Sequence, residues 1–236
     1  MSFKLESWPS RTYSYTLPMR YRLFAPKLGD AEGFGADDGL VVCLHGYQDH
    51  ALSMIKRLGW WDANLESEMA LPFQVLAVNA PFPVPVRTKA GFIEAYAWYF
   101  RDTDRGFTIA SPQQTAERVA ELLTEIGVAG RPIVIFGFSQ GGYLAPFVAR
   151  HIPNLKSLIC LGSGYPPEPY LHLKPTKIYA LHGEQDETIP LAASRQAHAA
   201  LLTTGFQGEF LTLPGLDHRV DPQAEPLVRR CLEKSW

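Results

Sequence analysis

The chain has 236 residues, is 46% hydrophobic and 12% aromatic, and carries a formal net charge of −2 with a pI near 6.4. That length and apolar content fit one domain, 1–236, with a substantial core, and the charge gives no electrostatic reason to bind nucleic acid or an anionic membrane. The opening MSFKLESWPS lacks the apolar run of a signal peptide, and no stretch approaches the length that spans a bilayer. Cys43, Cys160 and Cys231 are an odd, scattered set of the kind kept reduced in cytosol, so a cytoplasmic protein without stable membrane insertion is expected.

Residues 12–24 read as one or two antiparallel edge strands, followed by a polar, glycine-rich connection from Gly29 to Gly39. Leu40–Leu44 (LVVCL) is an apolar strand that leads to a helix near 52–61, which ends in Trp60-Trp61. One of that pair is expected in the core; exposure of both would make a homodimer or a lipid-facing surface credible. A strand at 73–79 enters the longest connection, 80–111, which shows no obvious regular element but holds Phe82, Phe92, Tyr96, Trp98, Tyr99 and Phe100. Connections that long in a compact domain are usually functional. Ser111-Pro112-Gln113-Gln114 is a helix start, with Ser as cap, Pro in the first turn and Gln at the capping-box position. Val119, Leu122, Leu123 and Ile126 form its apolar stripe, and Gly127 ends it. Strands at 133–138, 157–161, 177–182 and 209–213 complete the series, with helices near 141–151, 191–204 and 222–234. Pro146 falls inside one of those helices, where a lost hydrogen bond predicts a kink or a short interruption. Strands separated by helix-length connections imply an α/β fold with a mostly parallel central sheet and helices on both faces. Such a topology brings several strand-end loops to one edge.

One of those edges carries chemistry. Ile133 to Phe136 run into Gly137-Phe138-Ser139-Gln140-Gly141 and then Gly142. G-x-S-x-G at a strand-to-helix turn is the nucleophile elbow of serine hydrolases. The turn is so sharp that its neighbours nearly touch the facing chain, and glycine two before and two after the serine removes the colliding Cβ atoms. A serine hydroxyl needs a base to take its proton, and the base needs an orienting carboxylate. Asp186 follows the strand at 177–182 and His218 the strand at 209–213, in the order that the elbow chemistry uses. Glu184, Glu187 and Asp217 are other carboxylates near these loops. Asp217 adjoins His218 too closely to reach its far nitrogen with ease, and Glu187 is the best substitute for Asp186. His182 opens the acid loop and is expected to support its turn, whereas His151, His172 and His198 read as surface or satisfied structural residues. No pair has zinc-type spacing, so neither a metal nor another cofactor is expected.

Acyl transfer also needs two donors for the oxygen that becomes negative. One expected donor is the Gln140 amide. The other is the Tyr47 amide, in the loop after Leu40–Leu44, where Gly46 permits a close approach. Four segments now stand out: Leu44-His45-Gly46 with Asp49, Gly137 to Gly142, His182-Gly183 with Asp186 and Pro190, and Gly215 with His218. Together they resemble the carboxylesterase/phospholipase family of α/β-hydrolases, which contains acyl-protein thioesterases and small bacterial carboxylesterases. The resemblance implies an α/β-hydrolase fold without a large cap domain and hydrolysis of carboxylic esters or thioesters. It implies Ser139, Asp186 and His218 as the triad, with the Tyr47 and Gln140 amides as oxyanion hole. By the same analogy Trp98 and Tyr99 form an aromatic pair bordering the cleft; the physical reading of the loop's aromatics, Phe82 among them, is an apolar wall for the acyl or alcohol part of an ester. Packing of the loop onto the sheet edge is the alternative for each of these aromatics. Arg87, Lys89, Arg101, Asp102, Asp104 and Arg105 read as a solvated rim. Tyr47 stands where close relatives often carry an aliphatic residue, Pro146 interrupts the pattern, and 81–111 matches the family loosely, which leaves the substrate open beyond a small-molecule ester or acyl compound. Amide or peptide hydrolysis on the same residues competes with this reading. So does a hydrolase-like ligand sensor or partner-binding protein with negligible turnover.

Overall fold

The computed structural model describes residues 19–26, 39–61, 68–69, 71–102, 107–108 and 110–236. Its strands are, in chain order, β1 (Tyr21–Pro26), β2 (Leu40–Leu44), β3 (Glu68–Met69), β4 (Gln74–Val78), β5 (Phe82–Pro83), β6 (Val86–Thr88), β7 (Gly91–Ile93), β8 (Tyr96–Ala97), β9 (Arg101–Asp102), β10 (Phe107–Thr108), β11 (Ile133–Phe138), β12 (Leu155–Leu161), β13 (Lys177–Gly183) and β14 (Phe210–Leu213). The helices are α1 (Ala51–Arg57), α2 (Pro112–Glu125), α3 (Gln140–Ala149), α4 (Pro167–Tyr170), α5 (Leu191–Leu202) and α6 (Glu225–Glu233). Eight strands form the main sheet in the order β14-β13-β12-β11-β2-β4-β1-β3. The six from β14 to β4 in that order are parallel, and β1 runs antiparallel to β4. This is an α/β-hydrolase arrangement without a large cap domain among the described residues.

Every residue of β2 and β11 is buried, which is why both read as unbroken apolar runs. Alternate side chains serve two cores. Leu40, Val42 and Leu44 join Val119 and Leu123 of α2 and Leu144 and Val148 of α3 on one face. Val41 and Cys43 join Met54 and Ile55 of α1 and Val228 and Leu232 of α6 on the other. Burying each large aliphatic side chain is worth about 1.5–3 kcal/mol, so the sheet centre is a firm base for the loops at its end. No helix of the described residues is long and apolar enough to cross a membrane.

The structure departs from expectation in several places. The strand expected at the sheet edge, β1, lies between β4 and β3, because a two-residue strand too short for any periodic signal pairs outside it. Residues 12–18 and 29–38 lie outside the described residues. The connection at 80–111 is not irregular: it folds into the antiparallel ribbons β5–β8, β6–β7 and β9–β10. Pro146 does not interrupt α3, which runs to Ala149. The carbonyl of Gly142, which would have accepted from residue 146, instead faces the Cys160 thiol at 3.8 Å. Helix α1 stops at Arg57, and Gly59 with φ 73° turns the chain so that Trp60 enters the core against Phe136. Trp61 is half-buried, with the Arg22 guanidinium over its ring. Burial pushes the thiols of Cys160 and Cys231 up to about 12 and raises that of Cys43 as well, so none is a thiolate at neutral pH.

Candidate active site

At the end of β11 the elbow glycines are required because backbone occupies the space their Cβ atoms would need. A Cβ on Gly137 would lie 2.6 Å from the Gly141 carbonyl oxygen, and one on Gly141 would lie 2.1 Å from that of Leu44. Ser139 itself has φ 49° and ψ −116°. Strain of that kind costs on the order of 1–3 kcal/mol and persists only where the surroundings enforce it. Serine at a helix N-cap ordinarily accepts from an amide of the first turn. Ser139 is the N-cap of α3, yet its side chain makes no capping bond. Its hydroxyl goes to His218.

The loops that carry the acid and the histidine are fixed to each other. A Cβ on Gly183 would lie 2.2 Å from the Leu216 carbonyl oxygen. The amides of Glu184 and Gln185 donate to the carbonyls of Leu213 and Leu216 at 3.0 and 2.9 Å. This contact joins the end of β13 to the exit of β14 and brings Asp186 beside His218. Asp186 Oδ1 accepts from the amides of Thr188 and Ile189 at 2.9 and 2.8 Å. His218 Nδ1–H donates to Asp186 Oδ2 at 2.7 Å, which leaves Nε2 free to accept the Ser139 hydroxyl at 2.9 Å. The ring of Phe138 lies 5.1 Å from that of His218. His182 Nε2–H donates to the Ile189 carbonyl at 2.8 Å and stands 3.4 Å from Asp186 Oδ2, so it steadies the acid turn. His198, also buried, bonds the Ile178 carbonyl at 2.9 Å. Of the other carboxylates, Asp217 pairs with Arg219 at 2.6 Å, and Glu184 and Glu187 are exposed. All three line an open cleft of about 750 Å³ beside His218.

The loop after β2 approaches the elbow at Gly46, where a Cβ would lie 2.8 Å from the Phe138 ring and 3.5 Å from Ser139 Cβ. His45, without exposed surface, holds this loop. Its Nε2 accepts the Ala80 amide at 3.0 Å, so Nδ1 carries the proton and donates to the Gly46 carbonyl at 2.7 Å. Burial lowers the pKa of this imidazole to about 4, which keeps it neutral. The amides of Tyr47 and Gln140 have no hydrogen-bond partner among the described residues. Gln140 opens α3, where the helix dipole is positive. Two unspent donors therefore stand near Ser139.

A family model described as Phospholipase/Carboxylesterase matches residues 32–235. The chain belongs to this family. Acyl-protein thioesterase 1 homolog 1 of Dictyostelium discoideum is 25% identical over 209 residues, covering 83% of this chain and 89% of the relative. An esterase of Anopheles gambiae is 27% identical over 205 residues, covering 80% and 74%. The crystal structure of the Bacillus cereus carboxylesterase matches with a TM-score of 0.66 at 15% identity, covering 92% of this chain and 95% of that one. Zea mays acyl-protein thioesterase 2 matches with a TM-score of 0.62 at 22% identity, covering 92% and 98%. At those identities the solved structures speak for the fold.

In this phospholipase/carboxylesterase member the expected aromatic wall is divided. Trp98, expected at the cleft border, has no exposed surface. Its indole N–H donates to the His45 carbonyl at 2.7 Å, its amide to Gln140 Oε1 at 2.9 Å, and its carbonyl accepts the Thr115 hydroxyl at 2.6 Å. A buried indole with its N–H satisfied belongs to the scaffold. Tyr99 is half-buried beside the elbow; its carbonyl accepts from Gln140 Nε2 at 2.8 Å, and burial and the nearby Tyr143 raise its phenol pKa. Phe82 packs on Phe100 with centroids 5.6 Å apart, and Phe100 meets Tyr47 edge-on at 6.5 Å. Phe82 also lines a cavity of about 580 Å³ with Pro81, Ala110 and Gln114, so it sits one ring removed from Tyr47. The Gln140 amide follows from its motif position, but the grip of its side chain does not. His45 and Gly183 are likewise visible in the sequence as motif positions but not as contacts.

Proposed function

We propose that the chain is a serine esterase or thioesterase that cleaves small acyl substrates through an acyl-enzyme. The observation that carries this reading is the continuous hydrogen-bonded path from Ser139 Oγ to His218 Nε2, 2.9 Å, and from His218 Nδ1 to Asp186 Oδ2, 2.7 Å. In this reading Ser139 Oγ attacks the acyl carbonyl while His218 Nε2 takes its proton. Asp186 keeps the imidazole in the required tautomer and stabilises the imidazolium. The carbonyl oxygen becomes negative between the Tyr47 and Gln140 amides; loss of one such donor costs about 2.7–4 kcal/mol in other hydrolases. His218 then gives its proton to the departing alcohol or thiol. A water deprotonated by the same nitrogen attacks the acyl-serine and releases the acid. The Tyr47 ring, 48% exposed with Phe100 at its edge, supports an apolar acyl or alcohol group at the mouth of the site. Three free, buried thiols fit a reducing, cytoplasmic setting.

The purified protein should turn over short p-nitrophenyl esters, and Ser139→Ala should not. A series of esters and acyl thioesters of increasing chain length would then rank the leaving atom and the acyl size. No turnover across that whole series by the wild-type protein would overturn the reading.

A further inference from the structure

We infer that Trp98 is a positioning residue for the oxyanion hole, tying together the two loops that carry its amides, with the Gln140 side chain as its anchor. The inference rests on the esterase reading above. The Tyr47 amide comes from the loop after β2 and the Gln140 amide from the first turn of α3, and Trp98 bonds to both segments. Its indole N–H donates to the His45 carbonyl at 2.7 Å, and its backbone N–H donates to Gln140 Oε1 at 2.9 Å. Gln140 Nε2 in turn donates to the Tyr99 carbonyl at 2.8 Å, so one amide side chain grips two consecutive residues as a neighbouring strand would. Thr115 Oγ1–H closes the arrangement from α2 by donating to the Trp98 carbonyl at 2.6 Å.

Peptide planarity explains why these bonds aim the donors. The Gly46 carbonyl and the Tyr47 N–H belong to one trans peptide unit, so fixing the oxygen fixes the opposite direction of the hydrogen. His45 Nδ1–H holds that oxygen at 2.7 Å. The preceding peptide unit carries the His45 carbonyl, and that is the oxygen the Trp98 indole holds. His45 and Trp98 are both fully buried with ring centroids 5.1 Å apart, so no water competes for these groups. An oxyanion donor acts by being aimed before charge develops, and loosening its peptide lowers the rate without removing the donor.

Trp98→Phe keeps an aromatic ring and the backbone bonds but deletes the indole N–H. It should lower kcat on a p-nitrophenyl ester by about tenfold to a hundredfold, less than outright loss of a donor, while KM moves less than about threefold. Gln140→Met, at a half-buried side chain, should act in the same direction and gives the same comparison if Trp98→Phe does not fold. Affinity for a trifluoromethyl ketone, which adds to the serine and places a negative oxygen in the hole, should fall in parallel with kcat/KM. The double variant should cost little more than the larger single one, because both substitutions act on one brace. Wild-type kcat in folded Trp98→Phe and Gln140→Met, a loss confined to KM, or losses that multiply in the double variant would overturn the inference. Wild-type protein that neither hydrolyses the ester nor binds the ketone would instead remove the esterase reading, and the inference with it. Activity abolished by Ser139→Ala but untouched by Trp98→Phe separates the two failures.

Discussion

The elbow at 133–142 and the aromatic connection at 80–111 meet at Gln140, yet opposite rules shape them. In the elbow, main chain packs against main chain: a Cβ on Gly141 would lie 2.1 Å from the Leu44 oxygen. Few residue types fit, and the motif announces itself. The aromatic connection is held by side chains bonding to distant backbone, as when Trp98 meets Gln140 and His45 across 42 and 53 positions of sequence. Aromatics there can face the cleft or the core without any change of residue type. A site is thus easiest to find where backbone geometry dictates composition, and its supports are hardest to find where side chains choose their partners.

The sharpest separation of the two regions is kinetic. Ser139→Ala or His218→Ala should each lower kcat about 10⁶-fold, since the pair acts as a unit, and the loss is read on a p-nitrophenyl ester. Phe82→Ala, one ring removed from Tyr47, should change kcat/KM less than about tenfold. Next in size, Asp186→Asn should cost about 10⁴-fold by disturbing the imidazole tautomer. Asp217→Asn should stay within about threefold, because its carboxylate pairs with Arg219 in solvent. Equal losses at both acids would break the assignment of roles.

Stability should divide the regions in the same way. Gly141→Ala should cost more than about 4 kcal/mol in urea unfolding, because backbone on the facing chain cannot yield. Gly91→Ala, on a ribbon where no described residue beyond its chain neighbours comes within 4 Å of the added Cβ, should cost only about 1–2 kcal/mol from its φ of 119°. An effect between those two concerns His45, which touches both regions through Ala80 and Trp98. Its folded pKa of about 4 lies below the ordinary 6.5, so between those values the unfolded chain binds more protons. The contribution is complete above pH 6.5 and is lost as pH falls toward 4, by about 3 kcal/mol in all. Burial lowers the His198 pKa too, with the same sign. Histidine resonances followed by NMR should leave the His45 ring neutral at pH 5.5; a midpoint near its ordinary value would contradict the buried, neutral tautomer.

Much of the fold was legible because its signals are local. β2 and β11 lie at the residues where unbroken apolar runs put them. The capping box at Ser111 forms as read, with Gln114 N–H on Ser111 Oγ at 3.2 Å and Ser111 N–H on Gln114 Oε1 at 3.4 Å. Spacing and strand order also brought Ser139, Asp186 and His218 onto one rim, where the side chains meet. Pairs such as β3 and β5 were invisible because two residues cannot display alternation. The inward turn of Trp98 was illegible for another reason: residue type states that an indole wants burial and a partner, but not where the partner is. That α3 continues through Pro146 was not legible, because the rule for the missing N–H is local, while the Cys160 thiol facing the freed carbonyl comes from β12.

The central claim is that the hydroxyl at the elbow is the activated nucleophile. Incubation with a fluorophosphonate, followed by intact-mass measurement and peptide mapping, tests it most directly. One adduct per chain on Ser139, formed rapidly by the wild-type protein and at least about a thousandfold more slowly by His218→Ala, is the predicted result. A wild-type chain that stays unmodified, or that carries the adduct on another residue, would contradict the account.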